Sequence, residues 1–256
     1  MNVLVTGGTG LLGSVLVPRL VAAGHEVSVF TRQERPELPE GVSVRHGDLL
    51  DGSGVTAATE GSEVVIHAAS NAFRRTTATD VGGTELLIDH LQRMADAPHL
   101  IFPSIVGINE HPLPYYKAKA TAEKRILDSG LSCTILRATQ FHVLMARAFE
   151  KLLRFRAAPV VKGWLVQPVD EGEVAERLVD LVSSRPQGRV PDFAGPHVLS
   201  VGEMAEQYAD HHNRKILLLG MPPVGRVLKA YAAGLNTNLE ADLGSISWSE
   251  WLDAHD

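Results

Sequence analysis

The sequence is short of the groups from which many sites and scaffolds are built. It has one cysteine, Cys133, in 256 residues, which excludes an intrachain disulfide. Its place in the apolar run Leu131 to Leu136 is that of a small buried hydrophobe, not of a nucleophile. The 11 histidines are scattered, with no His-x-x-x-His pair and no Cys/His cluster, so no metal site is expected. There is no Gly-x-Ser-x-Gly elbow and no Walker loop, which leaves hydrolase and phosphoryl-transfer chemistry without an anchor. No apolar stretch approaches the roughly 18 residues that a membrane span needs. The opening Met-Asn-Val-Leu-Val-Thr has no basic flank and runs straight into glycines, so neither export nor membrane insertion is expected, and a reducing cytoplasm is the expected compartment. Positive charge is scarce too. A formal net charge of -6 gives no general attraction to nucleic acid or to an anionic membrane. The nearest basic run, Arg147, Lys151, Arg154, Arg156 and Lys162, reads as a solvated helix face.

What is present is ordinary globular material, 45% hydrophobic and 21% charged, without repeats or low-complexity segments. Short β-branched runs alternate with helical patterns through the first half, the rhythm of a parallel sheet with helices on both faces. Strands are expected at 2–6, 26–31, 42–46, 63–67, 100–104 and 132–137, and helices near 11–23, 80–95 and 115–129, the last stopped by Gly130. Beyond Arg137 the rhythm loosens. Helices are expected at about 141–155, 171–183 and 201–213 and from Pro223, with extended runs near 164–169, 197–199 and 215–219. The expected architecture is α/β, a doubly wound parallel sheet with a small C-terminal substrate lobe. It is read as one domain over residues 1–256, its nucleotide-binding part at roughly 1–137 and its lobe elements at roughly 138–256. Ligands of such sheets bind at the carboxyl edge.

The strongest local signal is Val3-Leu4-Val5-Thr6-Gly7-Gly8-Thr9-Gly10-Leu11-Leu12-Gly13, a buried strand that breaks into glycines and then into a helix. Glycines there permit positive φ and let backbone approach a phosphate with no Cβ in the way, while Gly13 allows close helix-to-strand packing. The helix opening at Leu11 directs free N–H groups and its positive dipole end at an anion. Both Gly8-x-Gly10-x-x-Gly13 and Gly7-x-x-Gly10-x-x-Gly13 are satisfied, which points to a dinucleotide. A site preferring NAD(H) usually carries an acid about 20 residues further on, at the end of the second strand. Here that strand ends Val29-Phe30-Thr31-Arg32. An arginine there can pair with a 2′-phosphate and Thr31 can add a hydrogen bond, so NADP(H) is expected in preference to NAD(H). Arg35 is placed to share the role.

With this loop, Gly47-Asp48-Leu49 after the third strand and His67-Ala68-Ala69-Ser70 after the fourth, the chain resembles an atypical or extended short-chain dehydrogenase/reductase over most of its length. The resemblance implies a Rossmann fold. It implies further that Asp48 meets the adenine amino group, that Leu49 covers the adenine ring, and that Ala68, Ala69 and Ser70 run along the ribose and pyrophosphate. By composition alone, Asp48 is equally a turn-former and the alanines are close-packing residues.

Ser104 ends the fifth strand, and Tyr115-Tyr116-Lys117-Ala118-Lys119 opens the next helix, placing Tyr115 and Lys119 at i and i+4 on one face. Carbonyl reduction needs a proton donor beside the substrate oxygen, and a nearby ammonium stabilises phenolate. The resemblance implies Ser104, Tyr115 and Lys119 as a catalytic triad, with Lys119 also holding the nicotinamide ribose. Tyr116 is a second candidate for the donor, because it too lies on the lysine's face. This helix resembles the NmrA-like and isoflavone-reductase-like branch, in which such a tyrosine is dispensable or catalysis is lost. Gln140, Phe141 and His142 leave the sixth strand at the same edge, where the resemblance places the substrate pocket, although a lone histidine is also an ordinary structural residue.

The function expected from these residues is an NADP(H)-dependent oxidoreductase that passes hydride to a carbonyl, quinone or enone of a small apolar molecule. A non-catalytic NADP(H) sensor of NmrA type, binding a protein partner, is the second reading. A nucleotide-sugar epimerase using the same tyrosine and lysine is the third, and the small C-terminal portion argues against it.

Overall fold

A computed structural model describes residues 1–71, 76–152, 154–155 and 157–255. Arg156 of the basic run, and Leu153 within the helix expected at 141–155, lie outside the described residues. In chain order the elements are β1 (Asn2–Thr6), α1 (Leu11–Ala22), β2 (Glu26–Thr31), β3 (Ser43–His46), α2 (Val55–Thr59), β4 (Val64–His67), a π-helical turn (Thr77–Gly82), α3 (Gly83–Leu91), β5 (His99–Ile105), α4 (Pro114–Asp128) and β6 (Cys133–Ala138). There follow α5 (His142–Leu152), β7 (Ala157–Val161), β8 (Leu165–Val166), α6 (Glu171–Val182), β9 (Gly188–Arg189), β10 (Phe193–Ala194), β11 (Leu199–Ser200), α7 (Val201–His211), β12 (Leu217–Met221), α8 (Gly225–Ala232), β13 (Asp242–Leu243) and α9 (Trp248–Ala254). Among the described residues no helix is long and apolar enough to cross a membrane.

The chain divides into two compact units. The first comprises Met1–Ser104, Lys117–Leu136 and Ala175–Val190. Its strands run parallel in the order β3-β2-β1-β4-β5-β6, with β9 paired to β6, so the chain winds outward in both directions from β1. The register sets Val5 beside Val29 on one side and Ile66 on the other. Every residue of β4 is buried, as expected of a strand covered on both faces. Leu4, Phe30, Val65, Leu87, Leu91, Phe102, Ile126 and Ile135 share one core cluster with Cys133, whose thiol is pushed up by burial.

The second unit comprises Ile105–Tyr116, Arg137–Val174 and Pro191–Asp256. It therefore draws on a segment well before residue 138 as well as on the C-terminal part. Its β10 pairs with Ala138 at the end of β6, and β13 pairs with β10, both parallel. Two small sheets, β7 with β12 and β8 with β11, complete the strands. The core is aromatic: Phe149, Trp248 and Trp251 pack with Met204, Val201 and Val160. Helices α7 and α9 each open with a capping box, Ser200 with Glu203 and Ser247 with Glu250.

Candidate functional site

Where β1 passes into α1, Gly7 and Gly13 leave no room for a side chain. Gly7 sits at φ +72, and a Cβ there would stand 2.6 Å from the Ala69 amide nitrogen. A Cβ on Gly13 would stand 2.2 Å from the Gly7 carbonyl oxygen. Loop, helix start and the Ala68-Ala69 turn are thus packed backbone against backbone. Gly10 occupies the N-cap of α1 in extended conformation and has no side chain with which to cap the first-turn N–H groups. A backbone cradle with an uncapped helix end fits a pyrophosphate.

A buried hydrogen-bonded chain fixes this cradle from behind. Thr84 donates to the Asp80 carbonyl at 2.6 Å and so accepts from His67 Nε2 at 3.0 Å. His67 Nδ1 then accepts from the Thr6 hydroxyl at 2.7 Å, and Thr6 Oγ1 accepts from the Ala69 amide at 3.3 Å. Burial, with Lys119 nearby, pushes the His67 imidazole down to about 3, so it serves as a neutral strut. The Asp80 carboxylate, buried in the π-helical turn, accepts from Ser70 Oγ at 2.5 Å and from the Asn71 amide at 3.0 Å.

At the other end of the loop, Thr31 Oγ1 accepts from the Gln33 amide at 3.1 Å. The Arg32 side chain is 69% exposed, with Nη1 3.6 Å from Asp48 Oδ2. Asp48 Oδ1 accepts from the Leu50 amide at 2.9 Å, and Leu49 is buried in the core cluster. The structure therefore brings Gly7, Thr9, Gly10, Leu11, Leu12, Gly13, Thr31, Arg32, Asp48, Leu49, Ala68, Ala69 and Ser70 into the first unit, along the carboxyl ends of its strands.

Lys119 and Ser104 belong to the same unit. Lys119 is 3% exposed. Its Nζ donates to the Pro103 carbonyl at 2.9 Å and lies 3.9 Å from the centroid of the Phe102 ring. Burial lowers its pKa to about 8 against the opposing pull of Asp80 and Glu123. Ser104 Oγ donates to Glu123 Oε2 at 2.8 Å, and Arg189 Nη2 donates to Glu123 Oε1 at 2.5 Å. Sequence reading missed Glu123 and Asp80. The signal for Glu123 was a carboxylate four residues beyond Lys119 on one helix.

The remaining candidates lie in the second unit. Tyr116 is buried in an aromatic stack, 4.5 Å from His111 between ring centroids, while His111 lies 4.2 Å from Tyr231. Burial, with Tyr231 beside it, pushes the Tyr116 phenol far up. Tyr115 is half-buried and edge-on to Tyr116 at 6.3 Å. Gln140 is tied on both sides, Nε2 donating to the Asn236 carbonyl at 3.0 Å and Oε1 accepting from the Gln167 amide at 3.3 Å. Phe141 forms an isolated parallel bridge with Val169. His142 is fully buried, stacked on Trp248 at 5.6 Å with Nε2 on the Ile246 carbonyl at 3.1 Å, a packing position.

Residues 7–163 match the NAD(P)H-binding family. A 2-alkyl-3-oxoalkanoate reductase of Stenotrophomonas maltophilia (strain K279a) is 33% identical over 165 residues, 54% of this chain and 50% of that protein. A 3 beta-hydroxysteroid dehydrogenase/Delta 5-->4-isomerase of Mycobacterium tuberculosis (strain CDC 1551 / Oshkosh) is 30% identical over 170 residues, 52% of this chain and 45% of that protein. The matches thus span about half the length of these curated relatives. In fold, the chain is similar to an NADPH-dependent quinone oxidoreductase of Escherichia coli, at TM-score 0.81 and 16% identity over 98% of this chain and 99% of that one. It is also similar to a UDP-glucose 4-epimerase of Thermus thermophilus solved with NAD, at TM-score 0.74 and 21% identity over 100% of this chain and 93% of that one. With a match that runs from the glycine turn through more than half of its length, the chain belongs to the NAD(P)H-binding family.

Proposed function

We propose that the chain is an NADP(H)-dependent reductase that passes hydride to the carbonyl, quinone or enone of a small apolar molecule. The observation that carries this reading is the glycine cradle closed against Ala68-Ala69, with the uncapped start of α1 beside it. Gly7, Thr9, Gly10, Leu11, Leu12 and Gly13 would hold the pyrophosphate, Ala68 to Ser70 the ribose side, and Asp48 with Leu49 the adenine. Arg32 and Thr31 would take the 2′-phosphate, and Arg32 is the reason for preferring NADP(H) over NAD(H). Bound there, the dinucleotide supplies the hydride.

Reduction of a carbonyl also needs a proton on oxygen. Tyr115 is the proposed donor, four residues before Lys119 on α4 and less buried than Tyr116. The Lys119 ammonium would hold the ribose hydroxyls of the bound dinucleotide and would stabilise the phenolate left behind. Two of the curated relatives are named a 2-alkyl-3-oxoalkanoate reductase and a 3 beta-hydroxysteroid dehydrogenase/Delta 5-->4-isomerase, which supports a carbonyl acceptor.

A sensor reading draws on one observation. Ser104 donates its proton to Glu123, and Tyr116 is packed among aromatic rings, so these two hydroxyls expected to do chemistry are engaged by the fold itself. The two readings part in turnover. NADPH oxidation in the presence of ketones, quinones and enones is expected with at least one acceptor class. Tyr115→Phe should lose about 100-fold or more in kcat, and Tyr116→Phe much less. NADPH binding without turnover on any acceptor would overturn the reductase in favour of the sensor.

A further inference from the structure

One strand pair in the second unit breaks the usual rule for a sheet covered on one side. Strands β7 and β12 pair in parallel, Ala157 with Leu217 through Val161 with Met221, and among the described residues neither has a further partner strand. One face turns inward, where Val160 and Leu218 pack on the aromatic core. The other face should then be polar. It carries Ala157, Pro159, Leu217, Leu219 and Met221 instead, and the last three are 61%, 50% and 44% exposed. Phe155 shortly before β7 and Val224 shortly after β12 are exposed as well, at 68% and 72%. Exposed apolar side chains gathered in one patch mark a surface that meets something apolar.

The charges around the patch indicate its occupant. The chain as a whole stands at -6, but no Asp or Glu occurs between Glu150 and Asp170 or between Asp210 and Glu240. These two stretches contain β7 and β12, and their Lys and Arg residues have no acids interspersed. Because the strands are parallel, their starts lie together, flanked by exposed Lys215 and by Arg154, which keeps a loose 3.7 Å contact with Glu150. Their ends lie together beside exposed Lys162, whose amide donates to the Met221 carbonyl at 2.8 Å. A second copy laid on this face by two-fold symmetry would set like charges against each other. We propose that the outer face of β7 and β12 is a peripheral docking surface for an anionic lipid bilayer, its apolar side chains entering the headgroup boundary and its flanking cations meeting lipid phosphates.

Co-sedimentation of the full chain with vesicles tests this. Retention is expected on vesicles of equal parts phosphatidylcholine and phosphatidylglycerol, and it should fall about tenfold or more on phosphatidylcholine alone, or when salt is raised from roughly 0.1 to roughly 0.5 M. Leu217→Thr/Leu219→Thr keeps strand propensity while removing apolar contact, and Lys162→Glu/Lys215→Glu reverses the flanking charge. Each should lower retention on the mixed vesicles by about tenfold. Retention of either variant equal to the parent's, or equal retention of the parent on both vesicle types, would overturn the proposal. No retention of a monomeric parent would overturn it in favour of a soluble protein partner, and a dimer in the absence of vesicles that the threonine variant dissociates would overturn it in favour of a second copy. If the threonine variant does not fold, Leu219→Trp takes its place: emission from the added indole should move to shorter wavelength on the mixed vesicles, and unchanged emission would contradict the proposal. The measurement needs no nucleotide, so its failure leaves the reductase reading untouched.

Discussion

Arg32 stands where a diol-binding acid would end β2, and its side chain is exposed beyond a loose 3.6 Å contact with Asp48. Such an exposed pair contributes little to stability, so the residue is free to be judged by binding alone. Arg32→Ala is expected to weaken NADPH binding by about tenfold or more and NADH binding far less. Equal losses would remove the phosphate-pairing argument. His67 makes a different prediction. The folded protein holds it neutral down to about pH 3, against 6.5 for an exposed histidine. Between those values the unfolded chain binds the additional proton, so stability rises with pH through that window and is lost as pH falls, by up to about 1.4 kcal/mol per pH unit. In His67→Gln the drop in melting temperature from neutral to mildly acid pH should be smaller than in the parent. An equal drop would assign the acid sensitivity to other groups.

Among the elements, the β1-to-α1 turn is the least tolerant of change. Gly13→Ala would drive a methyl into the Gly7 carbonyl and the Gly8 backbone, at 2.2 and 2.5 Å. Neither is the end of a flexible side chain. A loss of roughly 1–3 kcal/mol in urea unfolding is expected, together with loss of nucleotide binding. Unchanged binding would mean that the cradle is not the site. This turn was legible because glycine spacing reports backbone requirements directly. The flanking strands were legible because a strand buried on both faces must be uniformly apolar, as Val64-Val65-Ile66 is. The later elements were harder. Strands β9, β10 and β13 are two residues each, too short for a periodic pattern, and exist only through pairing with β6 or with one another. Helix α9 has seven residues, and its signal was the Ser-x-x-Glu capping box ahead of paired tryptophans. Ser247→Ala should cost about 1 kcal/mol, measured as a lowered urea midpoint. No change would show that tertiary packing of Trp248 and Trp251 holds the helix by itself.

At the scale of the whole molecule, the first unit was readable in the sequence because its glycine turn and its doubly covered strands obey local backbone and burial rules. The other unit answers to its own aromatic core. His142, placed by sequence at the substrate pocket, is instead packed on Trp248, and Gln140 is bound to Asn236 and Gln167. Nothing in the local pattern around Gln140-Phe141-His142 signals partners that lie about a hundred residues further on. The buried carboxylates Asp80 and Glu123 were hidden for a related reason, since only the folded structure shows that Asp80 holds Ser70 and Glu123 holds Ser104. The first titration to perform is of the purified protein with NADPH and, separately, NADH, followed by fluorescence and repeated across pH. Saturable NADPH binding tighter than NADH, weakening as pH rises past about 8 where Lys119 loses its charge, is the predicted result. Binding of neither dinucleotide, or a clear preference for NADH, would contradict it.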